Sequence, residues 1–227
     1  MTDLLPLDAD QLLSTTRAVR KRLDLTKPVP RELIMECVDL AIQAPTGSNT
    51  QGWRWIFVDD PTKKQALADL YGKTFDPYRA MMTGGPSPYA ADDTRALRSM
   101  AVTESATYLR DHFHEVPVMM IPLMAGRPDS SGTGAFQAGA WGSIIPAVWS
   151  FCLAARARGL GTAWTTLHLF AEEEAAKIIG IDHTKWTQVG LFPVAYTLGT
   201  DFKPAPRLDA AGLVQWNDGG DLGDAES

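Results

Sequence analysis

Cysteine is scarce: Cys37 and Cys152 are the only two in 227 residues, too few for a disulfide framework. Each lies in an apolar, helix-like stretch, so two buried thiols are expected rather than a bridge, which fits a reducing compartment. Positive charge is also in short supply, with 21 Lys and Arg against 27 Asp and Glu and a formal net charge of −6. Such a field repels phosphate polymers and anionic lipid, so neither nucleic acid nor membrane is an expected partner. Met1-Thr2-Asp3 opens without a basic stretch and apolar run, so no secretory signal is expected. No segment is expected to reach the roughly 20 apolar residues that span a bilayer. These absences together predict a cytoplasmic location.

Several catalytic signatures are missing too. Gly132-Thr133-Gly134 has Gln137 where the dinucleotide fingerprint needs glycine, and Gly159-Leu160-Gly161 has Trp164 there. The second pair also follows a helix instead of a strand, and no phosphate-loop lysine motif occurs. His112 and His114 have no matching Cys or His cluster, and they are expected as a helix-end pair. His168 and His183 lack a triad context, and Gly142-Ser143 sits in an apolar stretch without a G-x-S-x-G elbow. A Rossmann site, a nucleotide-hydrolase site and a metal site are therefore not expected.

What is present reads as one α+β domain over 1–227, with no repeat and no splitting linker. Asp8 or Asp10 caps a first helix through Leu12 and Leu13. Pro30 opens a helix over Arg31–Ala44, with Leu33, Cys37, Leu40, Ala41 and Ala44 on its buried face. Trp53–Val58 is aromatic and β-branched and predicts a strand, followed by a short helix near Thr62–Tyr71. Residues 72–91, rich in Gly and Pro, predict a long loop suited to a lid. Helical character returns over Asp92–Phe113. Val116–Met124 predicts a buried strand, with its two prolines pointing to an edge or irregular position. Ala135–Arg158 is an apolar helix with Trp141, Ile145, Val148, Cys152 and Ala155 at core spacing, central or at a subunit interface. Thr162–Leu167 and Val189–Thr197 predict strands, with a helix at Glu172–Gly180 between them. The stretch 208–227 reads as an arm that lies over a partner subunit, its last ten residues disordered.

Two segments carry chemistry. Arg17, Arg20, Lys21 and Arg22 place four cations within six residues of an acidic chain. Guanidinium forks suit phosphate, and Arg17 and Arg20 can reach one side of a helix end together. By itself the run also fits a solvated basic patch. Thr46–Gln51 offers Thr46, Asn49 and Gln51, and Asn and Gln match the alternating donors and acceptors of a flavin or purine edge. Alone, it also fits an ordinary polar connection.

The order R-x-x-R, helix, A-P-S/T-x-x-N-x-Q-x-W, strand, long apolar helix into G-L-G, then a late arginine resembles the FMN-dependent nitroreductase family. The matching stretches are Arg17–Arg20, Ala44–Trp53, Ala155–Thr166 and Gly199–Leu208. The resemblance implies a nitroreductase-like fold, a central mostly antiparallel sheet flanked by helices in an intertwined homodimer with FMN at the interface. It assigns Arg17, Ala18 (by its backbone), Arg20 and Arg207 to the FMN phosphate. Thr46, Asn49 and Gln51 go to the ring edge or ribityl chain, from the partner subunit. Trp164, Thr165 and Thr166 lie along the isoalloxazine. This chain departs from the pattern at Ala18, often serine, at Gly52, often proline, and at Ala205, where some members carry lysine; Lys203 stands nearby. The implied activity is ping-pong hydride transfer from NADH or NADPH, through the flavin, to nitroaromatics or quinones, with no catalytic side chain. Two other expectations stay open: reductive dehalogenation or flavin breakdown within the family, and non-enzymatic FMN storage.

Overall fold

A computed structural model of the chain describes residues 4–85, 89, 93–130 and 132–220. Helix α1 (Ala9–Thr15) starts at Asp8, whose carboxylate accepts from the Gln11 amide while the Gln11 side chain accepts from the Asp8 amide. That reciprocal box satisfies two otherwise orphaned donors. Helix α2 (Arg31–Ala41) stops three residues before its expected end. It buries Leu33, Ile34, Cys37, Val38 and Ala41, whereas Leu40 is 48% exposed.

Strand β1 (Trp53–Val58) has its expected bounds. Helix α3 (Pro61–Thr83) overturns the start of the expected loop, because it continues through Gly72 and Pro77. Packing offsets those two poor helix formers. Tyr71 meets Phe113 edge-on with ring centres 5.0 Å apart, Phe75 is buried, and Asp76 pairs with Arg110 at 2.6 Å. Of the proposed lid, 86–88 and 90–91 lie outside the described residues. Helix α4 (Thr94–His112) follows, capped by Asp93.

Strand β2 (Val118–Ala125) corrects the edge assignment, for it is the centre of the sheet. Along one side it pairs antiparallel with β1, from Trp53 opposite Met124 to Val58 opposite Met119. Along the other it pairs with β5 (Phe192–Tyr196) through Val118–Met120 and with β4 (Trp186–Gln188) through Leu123–Ala125. The Pro122 carbonyl accepts from the Val189 amide at 3.0 Å. A strand residue directs its N–H and C=O to the same side, so the missing proline donor falls in the gap between the β5 and β4 pairings and orphans no partner. Strand β3 (Leu160–Thr162) adds antiparallel to β5. The predicted strand at Thr162–Leu167 is therefore replaced by an earlier, shorter one, and Val189–Thr197 contains only β5.

Alternation along β2 divides the core in two. Val118, Met120 and Met124 face α2 and α5 (Gly134–Ala157), while Met119, Ile121 and Leu123 face α3, α4 and α6 (Glu172–Ile179). Helix α5 buries Ile144, Ala147, Val148, Phe151, Cys152, Ala154 and Ala155, leaving Ile145 and Trp149 each 41% exposed. Of the predicted face, Val148, Cys152 and Ala155 are buried and Trp141 packs against the core, while Ile145 is turned outward, because an all-round apolar helix gives periodicity little phase to find. By length and composition α5 also matches a bilayer span, contrary to expectation, though its inner face packs in the core. In the arm, 208–220 is exposed around a short 3-10 turn at Ala210–Leu213, and 221–227 lies outside the described residues.

Candidate active site

The basic segment leaves α1 and is fastened to the edge strand β3. The Val19 amide donates to the Thr162 carbonyl at 2.8 Å, Ala18 bridges Thr162 in parallel, and Val19 and Leu23 are buried. Gly161 permits this approach. A Cβ there would stand 3.0 Å from Val19 Cβ and Leu23 Cδ2 and 2.8 Å from Thr197 Cγ2. With the apolar residues turned inward, Arg17 and Arg20 are left half-buried and Ala18 exposed.

They line a cavity of about 240 Å³ whose opposite wall is α4, through Arg98, Ala101, Val102 and Ser105. The charges around it are unevenly compensated. Lys21 pairs with Glu104 and Arg22 with Asp201. Arg17 Nη1 donates only to the Lys203 carbonyl at 3.1 Å, and Arg20 Nη1 reaches the Ser105 hydroxyl at 3.4 Å. Among the described residues neither Arg17, Arg20 nor Arg98 has a carboxylate partner. Burial holds the Arg20 guanidinium below its ordinary pKa, with neighbouring Tyr71 opposing the shift, and pushes the Tyr71 phenol up to about 12. Three guanidiniums without carboxylate partners around one cavity supply donors and charge that a multivalent anion can use.

Arg207 is not brought into that cavity. It is exposed and donates to the adjacent Pro206 carbonyl at 3.0 Å, while Lys203 approaches the basic segment through its carbonyl.

The Thr46–Gln51 loop lies elsewhere, against the N-terminal half of α5. The Gly47 amide donates to Ser143 Oγ at 2.9 Å, and Ser143 donates onward to the Gly139 carbonyl. The Gln51 side chain donates to Asn49 Oδ1 at 3.0 Å, and the Gln51 amide to Thr46 Oγ1 at 3.3 Å. Ser48, Asn49 and Gln51 all have positive φ, at 51°, 54° and 48°. Such left-handed backbone is disfavoured for residues with a Cβ, and it sets Asn49 and Gln51 outward and exposed. Beside the loop is a mainly apolar cavity of about 430 Å³, with Trp53, Met124, Phe136 and Ile144 in its wall.

Trp164, Thr165 and Thr166 occupy a connection, not a strand. Trp164 Nε1 donates to the Val189 carbonyl at 3.3 Å and its ring lies 5.1 Å from Phe192. The buried Thr165 hydroxyl donates to the Leu191 carbonyl, so only the Thr166 side chain of the three is exposed. Sequence reasoning missed Arg98, Ser105 and Ser143. The spacing of Arg98, Ala101, Val102 and Ser105 is one helical stripe and was available, but nothing in it says which partner that face meets. Among the described residues no group of three or more His, Cys, Asp and Glu could hold a metal.

Comparison with known proteins gives this geometry its context. A model of the nitroreductase family matches residues 13–196. The chain is 45% identical over 69 residues to a 4-nitrobenzoate reductase of Pseudomonas putida, covering 30% of this chain and 29% of that protein. It is 25% identical over 144 residues to a 5,6-dimethylbenzimidazole synthase of Rhodospirillum rubrum, covering 62% of this chain and 61% of that one. Both matches span less than two thirds of the relative. Among solved structures, iodotyrosine deiodinase bound to FMN and 3-iodo-L-tyrosine superposes with a TM-score of 0.67 at 21% identity, covering 91% of this chain and 97% of that one. An FMN- and NADPH-dependent nitroreductase from sphigopyxis sp. strain HMH gives 0.65 at 18% identity, covering 93% and 100%. With its antiparallel sheet, its basic segment on β3 and a family match over residues 13–196, the chain belongs to the nitroreductase family.

Proposed function

We propose that the chain is an FMN-dependent oxidoreductase that moves a hydride from NADH or NADPH to an electron-poor aromatic acceptor, a nitroarene or a quinone. The observation that carries this reading is the cavity in which Arg17 and Arg20 stand without a carboxylate. That donor set fits a phosphate monoester, which takes paired N–H donors on several oxygens. FMN, when bound, supplies the redox centre. In this reading Arg17, Arg20 and the Ala18 backbone hold the phosphate, and Arg207, which stands outside the cavity in the single chain, joins them only on a shift of the 199–207 stretch. Thr46, Asn49 and Gln51 provide donors and acceptors to the polar ring edge or ribityl chain. Trp164, Thr165 and Thr166 offer backbone along the ring; the Trp164 and Thr165 side-chain donors are already used.

The basic segment lines one cavity and the 46–51 loop borders another through Gly47 and Thr50, and no hydrogen bond or ion pair among the described residues joins the two segments. A homodimer that closes each site with the partner's 46–51 loop reconciles that separation with a shared ligand. The exposed Phe136, Ile145 and Trp149 on α5, and Leu213 and Trp216 in the arm, support it. Two free, buried thiols support a cytoplasmic location.

Anaerobic mixing of FMN-reconstituted protein with NADH and with NADPH tests the activity. The flavin is expected to bleach with at least one donor and to recover on adding a nitroarene or quinone. Reduction by dithionite alone would instead support flavin storage. A second reading, a dehalogenating or flavin-degrading member, draws support from the deiodinase and benzimidazole-synthase matches. Loss of the flavin spectrum without recovery would favour flavin degradation.

A further inference from the structure

The anion cavity has a wall that the basic segment does not supply. Arg98, Ala101, Val102 and Ser105 line it together from α4, spaced at one and two helical turns along a single face. Ala101 and Val102 carry no polar group there, so the wall's chemistry lies in Arg98 and Ser105. Arg98 is exposed and has no carboxylate partner among the described residues, although it lines the same cavity as four other cations. Like charges brought together without counter-charge repel, and a bound dianion removes that repulsion. Ser105 already lies 3.4 Å from Arg20 Nη1 and donates its own proton to the Val102 carbonyl, so it holds Arg20 toward the cavity. On the opposite wall Ala18 offers no hydroxyl.

We propose that Arg98 is a further phosphate-binding residue, delivered across the cavity by α4, and that Ser105 is a positioning residue that sets Arg20. This rests on the reading of the cavity as a flavin-phosphate site. Helix α4 then touches the cofactor's anionic end, so cofactor occupancy and the placement of α4 are coupled.

Flavin titrations on the full chain, using FMN and riboflavin in parallel, separate the possibilities. Riboflavin has the ring and ribityl chain but no phosphate. The proposal expects Arg98→Ala to weaken FMN binding roughly tenfold or more while riboflavin affinity stays within twofold. Arg98→Lys should recover part of the loss, since a point charge replaces the fork. Ser105→Ala should weaken FMN by a smaller factor and also leave riboflavin unchanged. Equal FMN affinity in wild type and Arg98→Ala, with wild type still preferring FMN over riboflavin, overturns this inference alone. Equal weakening of both flavins by Arg98→Ala overturns it too, because the effect is then structural. A wild type with no preference for FMN over riboflavin overturns the phosphate-site reading itself.

Discussion

His168 is fully buried immediately after the Trp164–Thr166 connection, and neither of its ring nitrogens has a hydrogen-bond partner. Burial drives its pKa down from 6.5 to about 4, with the Gln188 side chain opposing the shift. The fold therefore holds the imidazole neutral, whereas the unfolded chain protonates it near its ordinary value. Its stability contribution is complete above about pH 6.5 and falls as pH drops toward 4, where the native ring also takes a proton. By pH 5 the loss is about 2 kcal/mol. Urea melts of wild type and His168→Gln at pH 7 and pH 5 check it. The wild type should lose more stability than the variant, and parallel profiles would remove His168 from the account. Cys37 and Cys152 are pushed up to about 11 by burial, so neither is poised as a thiolate at neutral pH.

At the scale of elements, β3 and the basic segment stand or fall together through Gly161. Replacing it with Ala puts a methyl within 3.0 Å of Val19 and Leu23, so the segment bearing Arg17 and Arg20 must shift. Overpacking of that kind costs about 1–3 kcal/mol. The Gly161→Ala variant is expected to lose that much in urea melts and also to bind FMN less tightly. Undiminished FMN binding would show that the segment's seat on β3 does not set the cavity. Elements were legible in sequence where a local rule decided them. Asp8, one of the two caps read for the first helix, starts α1, and the β-branched, aromatic run marked the bounds of β1. They were illegible where a distant partner decided them. Gly72 and Pro77 read as a loop, yet Phe113 and Arg110 on neighbouring elements hold α3 helical. Pro122 read as an edge residue, yet its absent donor falls between two strand partners. The chemistry of the candidate site was equally divided. Arg17 and Arg20 were visible as a charge run, while Arg98 and Ser105 became visible only when α4 was seen to close the cavity.

At the scale of the whole molecule, large apolar groups stand on the described surface, Met100 at 83%, Trp216 at 82% and Phe136 at 71% exposed among them. Exposed groups of that character favour association with a second copy. Light scattering coupled to size exclusion is expected to give twice the chain mass at micromolar concentration. Deleting residues 208–227 should weaken the dimer. A monomer that binds FMN at full affinity would separate the site from the interface.

In the proposed reading the half-buried arginines of the basic segment grip a flavin phosphate. Equilibrium FMN titration of wild type and Arg20→Ala, read by flavin fluorescence with riboflavin as control, tests it most directly. Losing one charged hydrogen-bond donor costs about 1.5–3 kcal/mol. FMN affinity is therefore expected to fall roughly tenfold to a hundredfold, with riboflavin unaffected. A wild-type protein that stays colourless with FMN, or an Arg20→Ala variant that binds FMN as well as wild type, would contradict it.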